Sequence, residues 1–470
     1  MVETVETVET DDTDDTTPAT ELSFDSPDQC QGCHPEHYEQ WSMSPHAYAA
    51  QDPVFLAMVE LGQRRTKGEL GEFCVQCHTP PGTLSGQTAV EFDELTQTYV
   101  QDLQALDPVA QAGVSCDVCH SIESIEHPFN AGINYATDGH KRGTIEDPQD
   151  AGAHGSEYSP LHKESELCSG CHGVINDQGA LLDLTYDEWL GSSHAEQGRT
   201  CQDCHMKPST GAVALGGPED RQLHDHHFVG VDVSLLPPEQ FPGYDQMREL
   251  TRQLLQSAAQ MEVQAQQRAL DVTVQNLAGH ALPTGSTADR QMWLQLEVTD
   301  EDGQVVFTSG TLDERDDIRD GLAAHSLEPG TDPQLAYWGQ QLIYDPRIAQ
   351  ATNPAEREQA QRLASEDCLP MGLGAVVPQS PMQPVSFGWD ANWQCDYLIA
   401  ADSAQTHHYV LPADMPRGRY HATVRLLYRT FPPHFLRGLE QDAGLDPDVR
   451  DRVPTVVMAE ASQDWVVQDG

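Results

Sequence analysis

The clearest pattern of apolar and polar positions lies in the C-terminal half of the chain, where apolar residues return at every second position. Runs with this period cover residues 270–275, 292–298, 304–307, 420–428 and 455–458. A period of two predicts strands with one buried face, and Asp302-Gly303 between two such runs indicates a hairpin. Residues 262–470 are therefore predicted to form an antiparallel β-sandwich with long inserted loops.

A second period precedes these strands. Met247, Leu250, Leu254, Leu255 and Met261 follow the spacing of one helical face. This pattern predicts a helix over residues 244–261, inside a linker assigned to residues 231–261.

The N-terminal half lacks such runs. Residues 1–22 repeat Val-Glu-Thr and then acidic and threonine clusters, a composition typical of a disordered leader. Residues 23–230 carry frequent Gly and Pro between short motifs, which favours short helices joined by irregular loops.

Five short motifs organise residues 23–230, and each reads Cys-x-x-Cys-His. They are Cys30, Cys33 and His34; Cys74, Cys77 and His78; Cys116, Cys119 and His120; Cys168, Cys171 and His172; and Cys201, Cys204 and His205. In this signature of c-type haem attachment, two thiols form thioethers with the haem vinyl groups and the histidine is the proximal iron ligand. A single motif could be a zinc knuckle or a redox dithiol, but five with an invariant histidine use ten of the twelve cysteines. The sequence therefore predicts five covalently attached c-type haems, which form much of the core of this half.

Whether each iron keeps an open coordination position depends on the histidines outside the motifs, which could serve as distal ligands. His46 and His194 end two copies of Tyr-x-x-Trp-x-x-Ser-x-His, each near a motif, so both are predicted distal ligands. Either His154 or His162 is a further candidate, with His154 preferred.

Two more candidates complete the set. One of His224, His226 and His227 is expected to ligate, with His227 preferred, and His280 lies in a Gly/Pro-rich loop. His280 either caps a haem of the same chain or of the next molecule, or is a loop residue without iron. Five candidates for five irons favour coordination by two histidines throughout, which permits electron transfer but not substrate binding.

Charge narrows the range of partners. Lys+Arg total 25 and Asp+Glu total 75, a net charge of -50. Such a chain is not expected to bind nucleic acid or anionic lipid, and the acidic, Lys-poor composition suggests a salt-loving source.

The sequence also bears on the compartment. No run of about 18 apolar residues predicts a membrane span, and no signal peptide is visible. Cys368 and Cys395 lie outside the motifs and are expected to form a disulfide if the compartment is oxidising.

Residues 28–230 resemble the multihaem cytochromes c of the cytochrome c554 type. The resemblance is carried by Cys30-x-x-Cys33-His34-x-x-x-Tyr38-x-x-Trp41-x-x-Ser44-x-His46, by residues 113–120 and 159–168, and by residues 200–206. The loop 279–285 with the following strands looks like the β-domain of some exported multihaem cytochromes. Five motifs instead of four, and the large β-domain, depart from cytochrome c554 itself.

The resemblance implies electron transfer through closely stacked haems, with redox proteins or extracellular acceptors as partners. Because c-type haem is attached outside the cytoplasmic membrane, it also implies a periplasmic or extracellular mature chain. Some relatives polymerise into conducting filaments with a ligand shared between subunits, so a homopolymer is one form of this hypothesis. The alternative is an oxidoreductase with one open iron acting on a small nitrogen or sulfur compound. Pentahaem nitrite reductases, however, carry a Cys-x-x-Cys-Lys motif that this chain lacks.

Overall fold

The computed structural model describes residues 22–149, 152–319, 332–368 and 380–468. The disordered leader predicted for residues 1–22 thus lies almost wholly outside the described residues. The α-helices of the described part are mostly short, and many begin with proline, whose fixed φ suits a first helical turn. They are α1 (Pro27–Gln31), α2 (Pro35–Ser42), α3 (Pro45–Tyr48), α4 (Pro53–Thr66), α5 (Val75–His78), α6 (Pro80–Leu84), α7 (Pro108–Gln111), α8 (Cys116–His120), α9 (Glu166–Ser169), α10 (Thr185–Leu190), α11 (Ser193–Glu196), α12 (Cys201–His205), α13 (Tyr244–Ala258), α14 (Pro346–Ala349), α15 (Pro354–Asp367), α16 (Pro433–Ala443) and α17 (Asp448–Arg452).

The strands fall into two groups. Those of the N-terminal half have two to four residues and form two-stranded sheets: β1 (Glu91–Asp93), β2 (Thr98–Val100), β3 (Ile122–Ile125), β4 (Ile133–Tyr135), β5 (His140–Gly143), β6 (Gly155–Tyr158), β7 (Val174–Ile175), β8 (Leu181–Asp183), β9 (Pro208–Gly211) and β10 (Arg221–His224). The others are β11 (Ala259–Gln266), β12 (Ala269–Asn276), β13 (Gln291–Asp300), β14 (Val305–Ser309), β15 (Tyr337–Tyr344), β16 (Gln383–Pro384), β17 (Trp393–Tyr397), β18 (Ala404–Val410), β19 (Gly418–Arg429) and β20 (Val456–Val467).

The second group forms the predicted antiparallel sandwich. One sheet has the order β11-β12-β18, and a seven-stranded sheet has the order β16-β15-β13-β19-β20, with β14 on β13 and β17 on β15. Alternate residues of facing strands, such as Leu270 and Val272 of β12 and Leu294 and Leu296 of β13, are fully buried between the sheets. Burial of these apolar faces is the main force holding the layers together.

The predicted hairpin and the predicted helix are both present in the structure, but the helix ends earlier than predicted. The predicted hairpin is confirmed, because β13 and β14 pair antiparallel across a turn in which Gly303 has a φ of +77°. The predicted helix ends at Ala258 instead of Met261, since strand β11 begins at Ala259 without a loop. Met261 therefore alternates with its strand neighbours, and its sequence spacing fits both periods.

The two halves share an apolar cluster. Leu61 and Val54 of α4 pack with Phe435, Leu436 and Leu439 of α16, so a helix of the motif-bearing half is buried against one from the β-rich half. Cys368 and Cys395 are disulfide-bonded, as predicted. Among the described residues, no helix combines the length and apolar character that crossing a membrane requires.

Candidate haem-binding site

Each Cys-x-x-Cys-His motif contains a turn of helix. In the first motif the amide of His34 donates to the carbonyl of Cys30 at 2.8 Å, and in the fourth the amide of His172 donates to Cys168 at 3.0 Å. One turn therefore brings the first thiol and the histidine to the same side. All ten motif thiols are free, and they line one continuous cavity of about 1450 Å³ together with all five motif histidines. A single continuous cavity thus gathers residues that are spread over 176 positions of the sequence.

Backbone carbonyls orient four of the motif histidines. The Nδ1 atoms lie 2.7 Å from the oxygen of Val213 for His34, 3.1 Å from Ala49 for His78, 2.5 Å from Arg142 for His120 and 2.6 Å from Val229 for His205. Because a carbonyl only accepts, Nδ1 carries the proton and Nε2 keeps its lone pair. This is the arrangement found behind metal-ligating histidines.

Four motif histidines face a second imidazole at one characteristic distance. The ring centroids lie 6.3 Å apart for His34 and His154, 6.3 Å for His46 and His172, 6.3 Å for His120 and His226, and 6.2 Å for His205 and His280. A metal ion about 2.0 Å from each nitrogen, which is itself ~1.2 Å from its ring centroid, sets two centroids at most about 6.4 Å apart. The four spacings therefore fit one iron between each pair.

The pairing assigns places to three of the predicted distal ligands. His46, His154 and His280 each lie opposite a motif histidine. Burial lowers the pKa of His46 to about 3 and that of His280 to about 4, so both rings are neutral and retain a lone pair. His280 faces His205 of its own chain, which places the Gly/Pro-rich loop over the fifth motif.

The structure differs from the sequence preference in the His224–His227 cluster. His226 faces His120, whereas Nδ1 of His227 lies 3.5 Å from a carboxylate oxygen of Asp225. His162 is also close to His120, at 5.8 Å, but its Nε2 bonds the carbonyl of Cys119 at 3.0 Å. The geometry thus favours His226 over the preferred His227, and nothing in four consecutive polar residues could have shown which ring turns inward.

His34 has a second neighbour at the same distance. The ring of His37 lies 6.3 Å from that of His34 but at 84°, and it meets His226 at 4.7 Å. His37 follows His34 by three residues in the sequence and packs beside its ring. His154 opposes His34 from a distant part of the chain.

The second motif differs from the others. The ring of Phe55, from α4, stacks on His78 with 4.0 Å between centroids and 4° between planes. In the described part of the chain, no imidazole lies opposite His78 at the spacing of the four pairs. Met58 and Val59, one turn further along α4, also line the cavity.

The predicted ligand His194 does not face a motif histidine. Its Cβ lies about 3.2 Å from where a side chain on Gly279 would begin, so the His280 loop packs directly against it. Its Nδ1 is buried without a hydrogen-bond partner. The repeat shared with His46 therefore places the two histidines in different surroundings, and ligation by His194 stays a prediction.

Contacts between thiols show which motifs are neighbours. Cys30 of the first motif is within hydrogen-bonding reach of Cys116 of the third, and Cys77 of the second is within reach of Cys171 of the fourth. Cys168 of the fourth is within reach of Cys201 of the fifth. Cys119 of the third makes no such bond, but it lies near enough to both fourth-motif thiols to contribute to raising their pKa. The fourth motif is thus adjacent to the second, third and fifth.

Comparison with known proteins agrees with this arrangement. Residues 29–121 match the model of the family described as cytochrome c554 and c-prime. The fold is similar to that of a penta-heme cytochrome c552 from Thermochromatium tepidum, with a TM-score of 0.58 and 19% sequence identity over 94% of this chain and 99% of that one. No curated protein matches the chain.

The motifs, the facing imidazoles and these similarities define the class of the protein, a multihaem c-type cytochrome with a C-terminal β-domain. Within that class, residues 29–121 are similar to the cytochrome c554 and c-prime family, and the fold is similar to that of a pentahaem cytochrome. Haem of the c type is the cofactor of its motifs, and electron transfer is the function of this class.

Proposed function

We propose that the chain binds five c-type haems, one at each motif, and transfers electrons among them outside the cytoplasmic membrane. The repeated spacing of 6.2 to 6.3 Å between facing imidazoles carries this proposal. Each bound haem supplies a one-electron iron couple. The chain's own part is to close both faces of four irons with the pairs His34/His154, His120/His226, His172/His46 and His205/His280. Two imidazoles, without a methionine ligand, favour low reduction potentials.

The order of the motifs implies a branched route for electrons. The first motif reaches the fourth through the third, and the second and fifth each adjoin the fourth. Cys33 of the first motif and Cys204 of the fifth are exposed, whereas the other motif cysteines are partly buried. We infer that electrons enter and leave at the first and fifth haems, where a redox partner can approach an edge.

A second candidate function rests on the second motif. With no facing imidazole found among the described residues, an iron held by His78 would have one open coordination position, while Phe55 stacks on the ring of His78 itself. An open iron can bind a ligand, so this haem is the proposed site for a small nitrogen or sulfur compound. The branched route would then supply it with electrons through the fourth haem.

We also propose the partners and the compartment of the chain, on the grounds of the c-type haem motifs. The redox partner is a protein or an extracellular acceptor, and the compartment is periplasmic or extracellular. A filament of this chain would not need His280 as a shared ligand, because that ring already faces His205 of its own chain. Polymerisation would have to use another surface.

The decisive experiment is to count haems and spin states in the oxidised holoprotein. Pyridine haemochrome absorbance against protein mass should give five haems per chain. Electron paramagnetic resonance should show four low-spin irons and one high-spin iron, and nitrite or hydroxylamine should perturb the high-spin signal alone. Five low-spin irons would remove the second candidate function, and fewer than four would contradict the ligand pairs.

A further inference from the structure

The His280 loop, residues 277–285, is held over the fifth motif by a residue from the other half of the chain. Glu188 belongs to α10, 92 residues before His280. Its Oε2 accepts a hydrogen bond from the amide of Ala281 at 3.1 Å and another from the hydroxyl of Thr284 at 2.6 Å. One carboxylate oxygen therefore grips the loop on both sides of its Leu282-Pro283 step.

The contact made by Glu188 lies directly beside His280. The amide that Glu188 binds belongs to the residue directly after His280, and Nδ1 of His280 donates to the carbonyl of that same residue at 3.0 Å. Ring and carboxylate are thus attached to opposite sides of one peptide segment. Fixing Ala281 therefore holds the His280 ring in its place 6.2 Å from the ring of His205.

The other side of the loop is fixed from within the β-domain. Asn276, which is 2% exposed, donates to the carbonyl of His280 at 2.7 Å and to that of Ile399 at 2.9 Å, and accepts from the amide of Ala278 at 2.7 Å. Asn276 thus ties the loop to the β-domain, while Glu188 ties it to the half that carries the fifth motif. The distance between His280 and His205 depends on both ties.

We propose that Glu188 is a positioning residue that keeps His280 on the iron of the fifth haem. The inference rests on the proposed function, which makes His280 and His205 the two ligands of that iron. Glu188 is not one of the residues that line the cavity, and it acts through the backbone of Ala281 and the hydroxyl of Thr284. Without it, the loop keeps its fold in the β-domain but loses its register with the fifth motif.

A matched control exists in the same interface. Asp402 of the β-domain accepts hydrogen bonds from the amide and the hydroxyl of Ser193 at 2.6 and 2.5 Å. This contact joins the same two halves a few residues from Glu188 but does not touch the His280 loop. D402A therefore reports what a loosened interface does by itself.

The test compares the oxidised holoproteins of H280A, E188A, E188Q, T284V and D402A by electron paramagnetic resonance, with and without added imidazole. H280A should add one high-spin iron that imidazole returns to low spin. E188A should add a partial signal of the same kind, about tenfold above that of D402A, since both hydrogen bonds to the loop are lost. E188Q keeps an acceptor oxygen and should resemble the unchanged protein, and T284V should lie between E188Q and E188A.

The possible results distinguish a failure of the role proposed for Glu188 from a failure of the assignment of His280 as a ligand. If H280A adds no high-spin iron, His280 is not a ligand, and the assignment fails together with this inference. If H280A does so while E188A and T284V add no more signal than D402A, the ligand assignment stands and the role of Glu188 is wrong. If E188A does not yield holoprotein, T284V decides in comparison with T185V. The Thr284 hydroxyl also lies 2.8 Å from that of Thr185, and T185V removes this contact while leaving the bond from Thr284 to Glu188 in place. A larger high-spin signal in T284V than in T185V supports the role of Glu188, and equal signals contradict it.

Discussion

At the scale of single residues, the chemistry of this protein depends on which imidazoles meet in pairs. A ring placed opposite a motif histidine can close the second face of an iron, whereas the neighbouring His227 has its Nδ1 3.5 Å from a carboxylate oxygen of Asp225. His226 and His227 show the difference most sharply, because they are adjacent in sequence and only His226 faces His120.

This pair makes a direct prediction. H226A should open the iron of the third haem and convert one low-spin signal to high spin, because its distal nitrogen is lost. H227A is the matched control and should leave all signals unchanged, since its ring contacts Asp225 and not the cavity centre. Electron paramagnetic resonance of the two oxidised proteins makes the comparison. A high-spin iron in H227A and none in H226A would reverse the assignment.

Of the residues of the site, only those that attach the haem covalently, together with the adjacent motif histidines, could be predicted with certainty from the sequence. Spacing alone places ten thiols and five histidines, because haem attachment requires them within one helical turn. Proximity to a motif and repeated context named His46 and His194 equally, yet only His46 lies opposite a motif histidine. Distal ligation depends on contacts between distant segments, such as His154 with His34, and no local pattern records these contacts.

At the scale of elements, α4 connects the second motif to the rest of the molecule. Its N-cap is Asp52, whose side chain accepts from the amides of Val54 and Phe55 at 2.7 and 2.8 Å. Phe55 in turn stacks on His78. The cap therefore fixes the start of the helix that orients the histidine of the proposed open site.

The cap should make stability depend on pH. Burial raises the pKa of Asp52 from 3.8 to about 6, so between about pH 4 and pH 6 the folded chain holds a proton that the unfolded chain releases. The Asp52 contribution to the free energy of unfolding is therefore fully present below pH 4 and falls by about 2 to 3 kcal/mol as pH rises through 6. D52N has no ionisable group at this position, so its free energy of unfolding should not fall in this way. The difference in free energy of unfolding between D52N and the unchanged protein should therefore shift in favour of D52N by about 2 kcal/mol between pH 4.5 and pH 7, measured by denaturant unfolding.

Asp107 supplies the control for this measurement. It caps α7 in the same way, accepting from the amides of Val109 and Ala110 at 2.9 Å, and it also precedes a proline, but it is exposed. The difference between D107N and the unchanged protein should vary less with pH than that of D52N. Equal pH dependence for both variants would show that burial of Asp52 is not the cause.

Elements were predictable where burial on one face imposed a period over many residues. Strand β12 alternates along its length, and β13 and β19 alternate over part of theirs, because one side of each lies in the sandwich core. The alternating run at residues 455–458 predicted only the start of β20, which extends to Val467. The two- to four-residue strands of the motif-bearing half are too short to carry a period. Strand β15 is buried along nearly its whole length on both faces, so it has no alternation to read.

At the scale of the whole molecule, charge is the dominant property. A net charge of -50 repels itself across the folded surface. Raising KCl from 0.1 M to 1 M shortens the Debye length from about 10 Å to about 3 Å. We expect the unfolding midpoint to rise by roughly 5 °C or more over that range. Sucrose at equal osmolality stabilises without screening charge, so a rise no larger than that in sucrose would contradict an electrostatic origin.

In the proposed branched order, the fourth haem is the junction that joins the second haem, the fifth haem and the branch formed by the first and third. H46A removes the imidazole facing His172 at that junction, whereas H154A removes the one facing His34 at an end of the route. Both variants lose one distal ligand, so they perturb their own irons in the same chemical way. Because only the fourth motif adjoins the second, third and fifth, H46A should slow the redistribution of electrons within the chain by about tenfold or more. H154A should leave most of that redistribution at its original rate. Flash reduction followed by haem absorbance separates the two, and equal slowing in both variants would replace the junction with a simple linear order.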